Sequence, residues 1–236
     1  MSQFDWLVKA AHTTVFTVFD TETTGLEPKT CRIVEVGGIR FDLRGAIARF
    51  NVLINPGTPM PAEVTKINGI TDAMLKGQPD AAHVMPDFLR FVGNSVLIAH
   101  NAPFDVNFIN AELGRLALPL LGNTVVDTRI FAKELFPGLP KYALQDLASR
   151  FGIKALDAHR AEDDARVCME LFLVCMDELR RRNPDRERDP VPEQAMGEKH
   201  DDGLASGTRE TALGTDLDED DDEYYEGEDL FSENLE

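Results

Sequence analysis

The chain has 236 residues, 24 basic against 42 acidic, and a formal net charge of −18. That length allows one medium domain, alone or with an appendage, and no run approaches the roughly 18 apolar residues of a membrane-spanning helix. Residues 183–236 hold 20 of the acidic and only 4 of the basic residues, so the preceding body is close to neutral and the overall charge says little about its ligand.

Thr14–Phe19 (TVFTVF) is β-branched and aromatic on both faces and reads as a central buried strand. Cys31–Leu43 and Ala46–Ile54 flank an Arg44-Gly45 turn and predict a hairpin. Pro61 to Met74 reads as irregular chain with short helical turns. Asp80–Val92 places Val84, Phe88 and Phe91 at helical spacing. Ser95–Ala99 is a short apolar strand, followed by a helix from Pro103 to Leu116 with Pro103 in its first turn, where a missing N–H costs little. Asn123–Val126 predicts a third central strand, and Asp127–Leu135 and Tyr142–Phe151 predict helices. The last helix runs from Ala161 to Arg182, with Ala165, Cys168, Leu171, Phe172, Cys175 and Leu179 as its apolar stripe. A meander of strands followed by alternating strands and helices predicts an α/β sheet with helices on both faces.

The body is expected to be one domain over residues 1–182. Residues 183–236 are Pro-rich and then strongly acidic, a composition that predicts a disordered tail. Cys31, Cys168 and Cys175 fit no zinc spacing, and their odd number argues against a disulfide framework. They suit a reducing compartment, and the opening MSQFDWLVKAAHTT lacks the apolar core of a secretory signal. A cytoplasmic location with no membrane partner is the expectation.

Three acidic clusters sit at the edges of apolar segments: Asp20-Thr21-Glu22, His100 to Asp105, and His159 to Asp164. Side chains at i and i+2 of a strand share a face, so Asp20 and Glu22 project together, although the pair alone also fits a solvated strand end. Asp105 continues the inward stripe of Phe108, Ile109, Leu113 and Leu116 back to the helix N-terminus. Helix capping is the plain alternative there. Stepping back from Leu171 and Cys168 lands on Asp164, again in a first turn and facing inward, whereas Glu162 and Asp163 are expected to face solvent. Four converging carboxylates without a neighbouring Arg or Lys in sequence call for a bound cation, since buried charge needs a partner. Oxygen ligands alone favour Mg²⁺ or Mn²⁺ over zinc. Two such ions suit phosphodiester hydrolysis. His159 lies in the loop before Ala161, where an imidazole could take a proton from water, or where it could simply be an exposed loop residue. His100 is expected to make a structural hydrogen bond that shapes its turn.

FDTETTGL (Phe19–Leu26), HNAPFD (His100–Asp105) and HRAEDD (His159–Asp164) together resemble the three motifs of the DEDDh, or DnaQ-like, 3′-5′ exonucleases, over roughly residues 13–178. INGIT (Ile67–Thr71) resembles a further loop of that family. The resemblance is to its bacterial replicative proofreading members above all. It implies a ribonuclease H-like fold: a five-stranded mixed sheet with one antiparallel strand, flanked by helices. It also implies that Asp20, Glu22, Asp105 and Asp164 hold two divalent cations, Mg²⁺ or Mn²⁺, with His159 as general base. By the same resemblance Thr23, Leu26, Asn68, Gly69 and Ile70 meet the terminal nucleotide, and Phe104 stacks beside it or belongs to the core. The activity implied is removal of nucleoside 5′-monophosphates from a single-stranded or frayed 3′ end of DNA, in proofreading or repair. The alternatives are an RNA-trimming enzyme of the same family and a non-catalytic interaction module that works through its acidic tail. The tail itself suggests a docking arm for a DNA polymerase or a sliding clamp, the latter through GEDLF (Gly227–Phe231), an autoinhibitory segment that competes for the groove, or a solubilising segment.

Overall fold

The computed structural model describes residues 2–184. The expected disorder of the acidic tail and the clamp-docking reading of GEDLF both fall outside the described residues.

Five strands form one sheet in the order β3-β2-β1-β4-β5. They are β1 (Phe16–Thr23), β2 (Ile33–Asp42), β3 (Gly45–Leu53), β4 (Val96–Ala99) and β5 (Val125–Asp127). β1 pairs antiparallel with β2, β2 antiparallel with β3, and β1, β4 and β5 run parallel. β2 alone is therefore reversed, as expected of a ribonuclease H-like sheet with a single antiparallel strand. β1 is central and apolar on both faces because each face is covered by helices.

The helices are α1 (Trp6–Ala10), α2 (Ala62–Asn68), α3 (Asp72–Leu75), α4 (Ala81–Val92), α5 (Pro103–Arg115), α6 (Thr128–Leu135), α7 (Leu144–Phe151) and α8 (Ala161–Arg182). Strand alternation divides β1 between two cores. Phe16 and Val18 join Phe41, Phe131, Leu171 and Phe172 on the α8 side. Phe19 joins Phe88, Phe108 and Ile109 on the side of α4 and α5. α8 runs over β1 and β2, and α6 and α7 pack on it in turn. All six residues of the predicted α8 stripe are buried. Among the described residues, no helix is long and apolar enough to cross a membrane.

Several local expectations are corrected. β5 is an edge strand, not a central one, and Val125 is accordingly exposed. The hairpin turn consists of Leu43 and Arg44, because Gly45 already pairs with Asp42 as the first residue of β3. Leu116 is half-buried and ends α5 instead of continuing its buried stripe. α1 was not foreseen. Its single turn carries too little periodicity to read, yet it buries Leu7 and Val8 beneath Phe4 and Phe131.

Candidate active site

β1 runs five residues past the end of its pairing with β4. β4 matches only Phe16–Val18, whereas β2 follows β1 through Thr23. Beyond Val18 that flank of the strand is open, at the carboxyl end of the parallel strands, the usual ligand edge of an open α/β sheet. The N-termini of α5 and α8 close on this opening from opposite faces.

On the α8 face, Asp20 and Glu22 project together toward Asp164. One carboxylate oxygen from each of the three lies within 4.8 Å of the other two. From the α5 face, Asp105 reaches the strand edge, where its Oδ1 accepts from the Thr21 N–H at 2.9 Å and the Thr21 hydroxyl at 2.7 Å. Thr21 N–H has no β4 partner at that position, and the aspartate takes the place of one. Asp105 therefore stands beside the trio of Asp20, Glu22 and Asp164 and not within it, a looser grouping than the single four-carboxylate cage expected from sequence. The reason is geometric: it approaches from the other face, and Thr21 holds one of its oxygens.

The charges repel. Burial first, and then the like charges of Asp105, Asp164, Glu22 and Glu35, push the Asp20 carboxyl well above the ordinary carboxylate range. Burial likewise lifts Glu22, against the opposing hydrogen bond from Asn68. Asp105 is pushed up to about 7, chiefly by burial. Asp164 rises to about 6, again from burial and against the His159 charge and N–H that favour its ionised form. Buried and half-buried acids that repel one another and share only oxygen donors fit a hard divalent cation.

The third motif is pinned by a carboxylate that the sequence reading missed. Glu35 of β2, opposite Glu22 in the ladder, is 1% exposed. It accepts from Arg160 Nε at 3.0 Å and Nη2 at 2.7 Å, and from the Ala161 N–H at 3.1 Å. The lone acid inside the apolar run IVEV was the available signal. Two residues on, Gly37 lies opposite Asp20, where any Cβ would overlap the backbone of Ala161 and Glu162. The first turn of α8 thus rests directly on β2, and Asp164 follows from that placement.

His159 lies in the loop before α8, half-buried, with φ at 63°. This left-handed conformation is costly for a residue with a side chain. Its N–H donates to Asp164 Oδ2 at 3.0 Å. Asp163, expected to be solvated, instead anchors the loop: Oδ2 accepts from the Leu156 and Asp157 N–H groups, and Oδ1 accepts from Arg166. Glu162 is exposed enough to fit its expectation, although Arg49 and Asn51 both donate to it.

His100 is structural, as expected. The Tyr142 carbonyl can only accept, so Nε2 carries the proton and donates to it at 2.9 Å, leaving Nδ1 to accept from the Thr128 hydroxyl at 2.9 Å. Burial lowers its pKa to about 4. The turn that follows is shaped by Asp127, whose carboxylate accepts from the N–H groups of Asn101 and Ala102 as well as those of Arg129 and Ile130.

The remaining residues tied to the substrate by resemblance are more scattered. Leu26 is exposed. The Thr23 hydroxyl is occupied by the Gly25 carbonyl at 2.6 Å. Phe104 is half-buried against Phe108, ring centroids 4.8 Å apart. Asn68 turns inward: its side-chain nitrogen donates to Glu22 Oε2 at 3.2 Å while its Oδ1 accepts from the Ile70 N–H. Gly69 ends α2 in a left-handed conformation, and Ile70 is fully buried among Val34, Met60, Val64 and Leu75.

A ribonuclease H-like sheet with acidic side chains gathered at the carboxyl end of its central strand defines the class of protein. This chain belongs to the exonuclease family, whose profile, described as Exonuclease, matches residues 17–172. Within that family it is 51% identical over 171 residues to the DNA polymerase III subunit epsilon of Treponema pallidum, covering 72% of this chain and 80% of that protein. It is also 38% identical over 164 residues to the PolC-type DNA polymerase III of Caldanaerobacter subterraneus, which covers 70% of this chain but only 12% of that much longer protein. Among solved structures, exonuclease X in complex with 5′ overhanging duplex DNA superposes with a TM-score of 0.56 at 26% identity, covering 69% of this chain and 91% of that one.

Proposed function

We propose that this chain is a divalent-cation-dependent 3′-5′ exonuclease that trims single-stranded or frayed 3′ ends of DNA to nucleoside 5′-monophosphates, in the service of replicative proofreading. The observation that carries this reading is the approach of Asp20, Glu22 and Asp164 to within 4.8 Å of one another, in a chain half identical to an epsilon subunit. The catalytic unit is residues 1–182, with 183–236 as an appendage.

In this reading Asp20, Glu22, Asp105 and Asp164 hold two cations, Mg²⁺ or Mn²⁺. When bound, the cations neutralise the phosphodiester and activate water for in-line attack. The protein's own work is positional. Asp20 and Glu22 are fixed by a strand paired on its other side, and Asp164 by a helix seated on that strand's neighbour. The His159 imidazole takes the proton from the attacking water as general base. The left-handed backbone at His159 turns its N–H onto Asp164 and so keeps this half-buried residue next to that carboxylate. Exposed Leu26 and half-buried Phe104 offer apolar surface to the terminal base and sugar, with Thr23 and the Asn68-Gly69-Ile70 turn framing the other side.

DNA is favoured over RNA because the relatives named above are DNA polymerase subunits and an exonuclease seen with DNA. The test uses 5′-labelled strands with paired, mismatched and single-stranded 3′ ends, and the RNA equivalents, under identical Mg²⁺. Stepwise shortening from the 3′ end, fastest on single-stranded and mismatched DNA, is the expected result. Faster shortening of RNA would move the chain to the trimming enzymes, and no shortening of any substrate would overturn the activity.

A further inference from the structure

Asp164 receives a second hydrogen bond that the motif itself does not supply. Gln145, the second residue of α7, points its side chain across to α8, and its Nε2 donates to Asp164 Oδ1 at 2.7 Å. An ionised carboxylate can only accept, so the NH₂ end of the amide must face it. The other oxygen, Oδ2, accepts the His159 N–H. The Asp164 carboxylate is thereby fixed in rotation from two independent elements.

The mounting of Gln145 is rigid. Leu147 and Ala148 anchor α7 in the core beneath it. Just before the helix, the Tyr142 carbonyl accepts from His100 Nε2, so the segment leading into α7 is tied to the end of β4. A chain from His100 through Tyr142 to Gln145 thus joins the second motif to the carboxylate of the third. Asn68 makes the corresponding bond to Glu22, so two of the three grouped carboxylates carry a side-chain amide donor.

We infer that Gln145 is a positioning residue that holds Asp164 in the orientation needed to ligate a divalent cation, and so sets the cation affinity of the site. This rests on the reading of Asp20, Glu22 and Asp164 as cation ligands. Removal of an outer hydrogen-bond partner of a ligand weakens metal binding by about 10–100-fold. Gln145 is only half-buried, so its loss should leave the fold intact.

The experiment uses the full chain with Gln145→Met, which keeps the length of the side chain but has no donor, and Gln145→Ala as a second variant. Mn²⁺ binding is measured by titration calorimetry without substrate, and exonuclease rate is measured as a function of Mn²⁺ concentration. Both variants should bind Mn²⁺ about tenfold more weakly. The Mn²⁺ concentration for half-maximal rate should rise in step, while the rate at saturating Mn²⁺ returns to within about threefold of wild type. An unchanged Mn²⁺ affinity in either folded variant would overturn the role of Gln145. So would a loss of saturated rate with no change in affinity. If the wild-type chain bound no Mn²⁺ at all, the failure would lie with the acidic cluster as a cation site and not with Gln145.

Discussion

Asp20→Asn will abolish exonuclease activity and at the same time raise the melting temperature of the metal-free protein. The loss of rate should be about 1,000-fold or more, since cation catalysis is worth several kcal/mol and each 1.4 kcal/mol is tenfold. The gain in stability follows from the opposite bookkeeping in the absence of metal. Burial and four like-charged neighbours hold the Asp20 carboxyl well above its ordinary range, so in the folded protein near pH 8 the ionised form is destabilising. Asparagine removes that charge and keeps the shape. A gain of ~1–2 kcal/mol would appear as ~3–6 °C in a domain of this size.

The same repulsion fixes the sign of the pH dependence. A carboxyl whose folded pKa is raised stabilises the protein fully below its unfolded value and loses that contribution as pH rises through the folded value. With Asp164 at about 6 and Asp105 at about 7, metal-free stability should fall between about pH 4 and pH 8. Mg²⁺ or Mn²⁺ should restore it at the alkaline end, and the slope should be shallower in Asp20→Asn. Thermal melts at several pH values, with and without metal, check each part. A variant that melts lower than wild type without metal, or that keeps its activity, would show Asp20 to be an ordinary strand-end acid.

His159→Asn should lower kcat by about 10²–10⁴-fold, the range for loss of a general base. Asparagine is the appropriate replacement because it tolerates the left-handed backbone that His159 adopts at φ 63°. It also preserves the N–H bond to Asp164. Mn²⁺ affinity and melting temperature should therefore stay close to wild type. Free imidazole added to the variant should recover part of the rate. A variant as fast as wild type would reject His159 as the base.

How much of this could be read from the chain depended on whether the signal was local. The bounds of α8 were legible because Ala165, Cys168, Leu171, Phe172, Cys175 and Leu179 mark one buried stripe over 22 residues. Stepping along that stripe placed Asp164 inward without any knowledge of the sheet. Asp20 and Glu22 were legible from strand alternation alone. The position of β5 was not, since an apolar run of three or four residues looks the same at the centre and at the edge of a sheet.

The support of the site was mostly invisible because it is long-range. Glu35 meets Arg160 across 125 positions, and Gln145 meets Asp164 across 19. Neither residue stands in a motif. Thr21 carries no charge and no periodic signal, yet its N–H and hydroxyl hold Asp105 in the space that β4 leaves by stopping short of it. Asp163 looked solvated from its helical phase, but two backbone N–H groups from the preceding loop turn toward it. In each case the residue type was visible and its partner was not.

The proposed seat of the divalent cations is Asp20, Glu22 and Asp164, with Asp105 beside them. Anomalous scattering at the manganese edge, from crystals of the protein grown with Mn²⁺, locates such ions without reference to activity. A strong peak touching oxygens of Asp20, Glu22 and Asp164, absent in crystals of Asp20→Asn, is the predicted result. Manganese bound only elsewhere, with no peak at those three carboxylates, would contradict it.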